Sequence, residues 1–443
     1  MIARPDLETL SESLFDGSLN VMPSRSEFDY QVAVLGGGPA GATAAAALAR
    51  KGRRVALLEP DPFPRFHIGE SLLSNANAVF REIGLHERMH ASHFTKKRGA
   101  RFLDAEGTKD VLYDFANNPK IQEPQTFQVP RAEFDEMLLK HAFASGAVHV
   151  PHRAKEIAFD DRGVTLWHDG AERPLRIEAI IDATGRAGFV SRKLGLREND
   201  DELRKLAVYA HFHGVPRDEG IRGGDIKIVS HQNLGWAWLI PLPEEVMSIG
   251  FVLDLERHRE VHGKKPQDQL LGELIASWPV VAKLCANARR VGEVRIESSF
   301  SYRTRLYAGR RYLLAGDAGS FLDPVFSSGV MFALYAGVES AGAVDAALTR
   351  EKLQSESFSG YDKIQRDRYE LVRKFVVGFY DPSFRDLFFN PRNKFGLVRA
   401  LTAVLGGLWS PGTMDRLRLQ TLFGIARIQR VVALMPRLHT AQR

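Results

Sequence analysis

Tyr30-Gln31-Val32-Ala33-Val34-Leu35-Gly36-Gly37-Gly38-Pro39-Ala40-Gly41, running on into the alanine- and leucine-rich Ala42–Arg50, is the stretch that decides the fold of this 443-residue chain. A short apolar run, a glycine turn and a helix-forming run read as strand, turn and helix. Gly36 allows the tight turn, Gly38 lets a pyrophosphate approach the backbone, and Gly41 lets helix and strand pack closely. The G-x-G-x-x-G pattern is weak alone. Here a second strand, Arg54–Leu58, follows and ends in Glu59, where an acid can hold ribose hydroxyls.

That pattern suits NAD and FAD equally, so the distinction comes from further along the chain. Ala179-Ile180-Ile181 leads into Asp182-Ala183-Thr184-Gly185, and Tyr312–Leu314 leads into Gly316-Asp317. The second motif puts a carboxylate where it can accept hydrogen bonds from a long polyol, which FAD has as ribityl and NAD lacks. With these motifs in this order, the chain resembles the FAD-dependent hydroxylase-type flavoproteins over most of its length. The resemblance implies an α/β fold: a Rossmann-like FAD-binding domain, an antiparallel-sheet substrate region and a helical C-terminal segment. It sets Gly36, Gly38, Ala40, Gly41, Glu59, Asp182, Gly185, Gly316 and Asp317 about the cofactor, and brings Arg131, in Val129-Pro130-Arg131-Ala132-Glu133-Phe134-Asp135, near it. No second G-x-G-x-x-G occurs. Electrons therefore come from transient NAD(P)H contact or from reduced flavin made elsewhere.

Gly235-Trp236-Ala237-Trp238-Leu239-Ile240-Pro241 narrows the class. In an extended strand Trp236, Trp238 and Ile240 share one face, and Pro241 ends the strand. Two indoles on one face are more often core than function, but W-x-W-x-I-P resembles the motif of the flavin-dependent halogenases. In that family the aromatic wall keeps substrate away from the flavin. Phe63-Pro64-Arg65-Phe66-His67-Ile68-Gly69-Glu70-Ser71-Leu72-Leu73 looks like the family's flavin-covering strap, a loop by its proline and glycine. Its Arg65 and His67 meet phosphate or substrate, or else lie on the surface, and Ser74 stands where the family usually has proline. Leu322-Asp323-Pro324-Val325-Phe326-Ser327-Ser328-Gly329-Val330 opens an apolar helix whose first N–H groups offer an anion site. By resemblance Ser328 and Gly329 hold the halide. Phe326 stands where the tryptophan-acting branch has glutamate, so the wording resembles the branch acting on phenols and pyrroles.

The family's essential lysine precedes a strand, here Phe94-Thr95-Lys96-Lys97-Arg98-Gly99-Ala100-Arg101-Phe102. A lysine doublet is usually a solvated charge run. Laid on the family pattern without a gap, the second lysine is the counterpart, so Lys97 is the expected catalytic residue. The resemblance implies a halogenase that uses FADH2, O2 and halide to make hypohalous acid by way of a flavin hydroperoxide, with Lys97 delivering the halogen to an electron-rich aromatic ring. It also implies a separate NAD(P)H-dependent flavin reductase and a place in secondary metabolism such as antibiotic biosynthesis. A monooxygenase or reductase of the same fold, acting directly on substrate, is the alternative.

The chain divides into a flexible leader (1–28), an FAD-binding domain (29–354) with an inserted substrate-binding sheet (about 186–300), and a helical basic segment (355–443). Helical spacing in that segment breaks at Pro382, Pro391, Pro411 and Pro436. Composition is ordinary for a globular chain, with 44% hydrophobic and 26% charged residues and one cysteine, which excludes disordered and disulfide-stapled classes. The lone Cys285 leaves no disulfide and no thiol pair for a metal. No metal site is expected, and a cytoplasmic setting is. The net charge of +6 is uneven. From Arg385 onward ten basic residues face two acids, which suits an acyl or peptidyl carrier protein or an anionic membrane surface, or a merely solvated lid. No nucleic-acid partner is indicated. Nor is a transmembrane segment expected, the nearest approach being Leu397–Pro411.

Overall fold

A computed structural model describes residues 27–256, 258, 265–298, 300–392 and 394–438; residues 1–26 of the expected leader lie outside the described residues. Tyr30–Leu35 is a strand inside an eight-stranded sheet. It pairs in parallel with Leu175–Asp182 on one side and Val55–Leu58 on the other. Tyr312–Leu314 and Val148–Val150 extend the sheet in parallel, and the hairpin Ala154–Phe159 with Val164–His168 joins it antiparallel. Covered on both faces, the central strands are continuous apolar runs without alternation. The registers place Leu35 beside Asp182 and Asp182 beside Leu314. The loops carrying Gly36, Gly185 and Gly316 therefore leave the same sheet edge, although they are far apart in sequence.

The helix Pro39–Arg50 crosses the long helix Ser328–Thr349 at close range. A Cβ on Gly337 would lie 2.8 Å from the Ala40 carbonyl oxygen and from Thr43 Cβ, so glycine against alanine sets the approach. Among the described residues Ser328–Thr349 is also the one helix long and apolar enough to cross a membrane, and most of it is buried inside the protein. This corrects the expectation that Leu397–Pro411 comes nearest. Alanine, valine and leucine raise the average despite Glu339 and Asp345, as in a core helix apolar on all sides.

A second sheet of seven strands runs in the order Arg289–Ser298, Lys205–His213, Met247–Asp254, Gly235–Pro241, Ile226–His231, Gly99–Asp104, Asp110–Asp114. The last two come from outside the expected insert. Gly99–Asp104 joins Ile226–His231 in parallel, and Asp225 ties the junction by accepting from the Arg98 and Gly99 amides at 2.8 and 2.7 Å. Alternation splits the faces. Tyr209, Trp236, Trp238 and Ile240 join the main core, while Val208, Ala210, Ala237 and Leu239 form another with helices Gln267–Ser277 and Pro279–Leu284. Pro279 ends the first of those helices and occupies the first turn of the next.

The C-terminal helices Ser359–Tyr380, Pro382–Phe389, Leu397–Leu405 and Thr413–Val431 lie over the second sheet and the entry of the long helix. The Phe388 ring centroid is 4.6 Å from Phe102, and Phe379 is 5.7 Å from Phe326. Aromatic edge-to-face packing thus fixes this segment to both.

Candidate active site

At the sheet edge, Gly36 has φ +97° and a Cβ there would lie 2.5 Å from the Ala183 oxygen; a Cβ on Gly41 would lie 1.8 Å from the Gly36 oxygen. Gly38 differs, with nothing within 4 Å of its would-be Cβ. That open volume sits at the N-terminus of Pro39–Arg50, where backbone N–H groups favour a phosphate. Ala40 is buried in the first turn beside Gly316. Glu59 is buried, and its carboxylate accepts from the Gly37 amide at 2.7 Å and the Asp61 amide at 2.9 Å. Arg65 stands 3.8 Å from that carboxylate, over the Phe63 ring. Gly185 and Gly316 open short turns on neighbouring strands. The Asp317 carboxylate has no hydrogen-bond partner among the described residues, and burial pushes its pKa up to about 6 against the pull of Arg131 and Arg186. An open glycine cradle, an anchored acid and an unpartnered carboxylate fit the pyrophosphate, ribose and ribityl of FAD.

Two expected cofactor residues also make contacts within the chain. Asp182 is fully buried, and its oxygens accept from Thr184 N and Oγ1 at 3.0 and 2.7 Å and from Val190 N at 2.6 Å. It shapes the turn that carries Gly185. Arg131 pairs with Asp135 at 2.8 Å and donates to the Ile68 carbonyl at 2.6 Å, so it clamps the Phe63–Leu73 loop to the nucleotide domain.

The far end of that loop joins the lysine strand. Leu72 N donates to Phe127 O at 2.9 Å and Val129 N to Glu70 O at 2.7 Å, beside the pairing of Thr95–Lys97 with Thr126–Gln128. Adjacent residues of a strand face opposite ways. Lys96 is exposed, whereas Lys97 is 1% exposed. Its ammonium donates to Ser71 Oγ at 2.8 Å and Leu72 O at 3.0 Å and lies 5.5 Å from the Phe115 ring centroid. Burial draws its pKa down to about 7, opposed by the charge of Asp225. Ser74 donates to the Pro124 carbonyl at 3.1 Å, so the departure from proline ties the loop to a neighbouring segment.

Ser327 takes a left-handed conformation (φ 55°, ψ 34°) and gives its helix no side-chain cap, leaving the amides of the first turn, Ser328 and Gly329 included, uncapped. Trp236 and Trp238 are buried with ring centroids 5.8 Å apart, and Ile240 lies on the same face. Trp238 Nε1 donates to Ser248 Oγ at 3.1 Å, and its ring lies 5.7 Å from Tyr209. Trp236 Nε1 donates to Tyr380 Oη at 3.0 Å, and that hydroxyl donates to Asp323 Oδ2 at 2.6 Å. Burial pushes Asp323 up to about 6. The tryptophan strand, the Ser328 loop and the C-terminal helices are thus joined by one buried chain of hydrogen bonds.

Tyr380 escaped the sequence reading because nothing local marks it. The pair of buried Glu70 and half-buried His211, 2.8 Å apart, was missed for the same reason. His86, His90 and Glu123 gather ligand atoms within 4.8 Å of one another, but Arg81 already supplies the cation beside Glu123.

The Tryptophan halogenase family model matches residues 31–124 and 113–389. A 1H-pyrrole-2-carbonyl-[peptidyl-carrier protein] brominase of Pseudoalteromonas luteoviolacea is 33% identical over 329 residues, 73% of this chain and 79% of that protein. The solved flavin-dependent brominase Bmp2 has a TM-score of 0.79 at 26% identity, covering 90% of this chain and 100% of its own. A solved flavoprotein/dehydrogenase from Cytophaga hutchinsonii has a TM-score of 0.82 at 26% identity, covering 90% of this chain and 98% of its own.

Proposed function

From the premise that the chain belongs to the flavin-dependent halogenase family, we propose that it chlorinates or brominates an electron-rich aromatic ring, a phenol or a pyrrole, free or bound to a carrier protein. The observation that carries this reading is Lys97, a buried cation held on the flavin-covering loop with no carboxylate in contact among the described residues. Bound FAD, reduced by a separate NAD(P)H-dependent reductase and reacting with O2, supplies the oxidant that turns halide into hypohalous acid. Gly36, Gly38, Ala40, Gly41, Glu59, Arg65, Gly185, Gly316 and Asp317 hold FAD. The amides of Ser328 and Gly329 hold the halide at the positive end of their helix.

Trp236, Trp238 and Ile240 keep the ring away from the flavin and exclude water, in which hypohalous acid would be lost. With its pKa near neutrality, Lys97 has two forms to use. As an ammonium, Nζ donates a hydrogen bond to the acid's oxygen. As an amine, its lone pair accepts the halogen, and hydroxide leaves. Both forms place the electrophile on the ring's side of the wall. The segment 355–443 shapes what enters.

Replacing Lys97 with alanine tests the proposal. FAD binding should persist and halogenated product should vanish; product at the wild-type rate would end it. The alternative, a monooxygenase or reductase acting directly on substrate, draws on the likeness to the flavoprotein/dehydrogenase fold. It predicts NAD(P)H oxidation with substrate alone, whereas the halogenase should be inert until a flavin reductase is added.

A further inference from the structure

The helices Ser359–Tyr380, Pro382–Phe389 and Thr413–Val431 and the rim of the second sheet enclose a cleft of about 1200 Å³. Its acids are already engaged. Glu202 pairs with Arg373 at 2.7 Å, and Asp381 accepts from the Ser383 amide at 2.9 Å and pairs with Arg430. Asp386 accepts from Gln429 Nε2 at 3.0 Å and the Leu438 amide at 2.8 Å. Among the described residues the cleft cations Lys374, Arg427 and Arg437 have no acidic partner.

Arg385 is the informative member. It lines the cleft at 8% exposure, its Nη1 meets only neutral acceptors, Ser230 Oγ at 3.1 Å and His231 O at 3.4 Å, and its Nε has no partner. Asp386 and Asp381 act on this guanidinium through space, but no carboxylate among the described residues bonds to it and burial still draws its pKa down, so with one N–H unused it carries a desolvation cost that an entering anion would offset. Tyr380 also lines the cleft. Its hydroxyl joins Trp236 to Asp323, so this side chain links the cleft to the tryptophan wall.

We infer that this cleft is the docking site for the phosphate-bearing prosthetic arm of a carrier protein. The arm's phosphate sits on Arg385 and the unpaired cations, and its acyl end points toward Tyr380. This rests on the carrier-bound form of the reading above. A concave site with its key cation at 8% exposure admits a narrow arm and excludes the flat surface of an anionic membrane. Arginine also presents paired donors that suit phosphate.

Titration calorimetry of the FAD-loaded protein with 4′-phosphopantetheine and with pantetheine decides it. The phosphorylated probe should bind about tenfold tighter or better, and the difference should shrink as salt rises. Lys374→Glu and Arg427→Glu, both exposed, should each weaken the phosphorylated probe about threefold to tenfold and leave pantetheine alone. Arg385→Gln should weaken it most; if that variant fails to fold, the two exposed ones decide. Equal binding of the two probes, or exposed variants without effect, would overturn the inference. So would capture by phosphatidylglycerol vesicles that is abolished by the same variants. Loss of halogenation with probe binding intact would count against the proposed function and leave the cleft assignment standing.

Discussion

Replacing Lys97 with methionine should make the protein more stable as it destroys activity. A lysine held from its ordinary 10.5 down to about 7 bears a cost against its charged form. At about 1.4 kcal/mol per pH unit, that cost is roughly 5 kcal/mol. Its pH dependence has a definite sign. In the unfolded chain the group keeps its proton up to about 10.5, while in the folded chain it releases it above about 7. Between those values the unfolded state binds more protons, so stability rises with pH, and at or below pH 7 the cost is nearly all present. Methionine fills similar space without the charge but leaves the Leu72 carbonyl without its donor, a loss of about 1 to 3 kcal/mol. The net gain at pH 6 to 7 is about 2 to 4 kcal/mol, a rise of a few degrees in Tm. It should fade and reverse as pH approaches 10. Thermal unfolding of both proteins from pH 6 to 10, with product analysis alongside, checks this. A methionine variant less stable at pH 6, or a difference independent of pH, would refute the costly buried ammonium and the two-form role built on it.

Three further outcomes follow from named contacts. Gly38→Ala should leave the apo-protein's Tm unchanged and weaken FAD binding, because its Cβ enters open space, whereas Gly41→Ala should destabilise the apo-protein, its Cβ being placed 1.8 Å from a backbone oxygen; equilibrium FAD titration and calorimetry separate the two. FAD affinity should fall as pH drops below about 6, where Asp317 takes up a proton and ceases to be a full acceptor for ribityl hydroxyls, and Asp317→Asn should abolish that step. Gly250→Ala would put a Cβ 2.1 Å from the Trp238 indole, so it should cost about 1 to 3 kcal/mol and alter tryptophan fluorescence while FAD uptake persists.

The nucleotide layer was legible because its signals are local. Apolar runs buried on both faces, a glycine turn and an alanine helix are consecutive residues whose backbone preferences do not wait for distant partners. The alternation that put Trp236, Trp238 and Ile240 on one face is a property of any strand, and it held. Composition misjudged the helix Ser328–Thr349, whose apolar character serves burial against Pro39–Arg50. The insert boundary missed Gly99–Asp104, because a parallel partner can come from anywhere in the chain.

The strand, turn and helix of residues 30–50, the faces of the strands and the breaks at the prolines were thus determined by the sequence alone, since dihedral preference and side-chain period act over a few residues. Tertiary structure decided the chemistry available to each group. It turned Lys97 inward and Lys96 outward, occupied Asp182 while leaving Asp317 unpartnered, and brought Tyr380 to Trp236 and Asp323. Burial and hydrogen-bond partners, which set the charge and availability of a side chain, are contributed by segments remote along the chain and become defined only when the sheets and helices close around it.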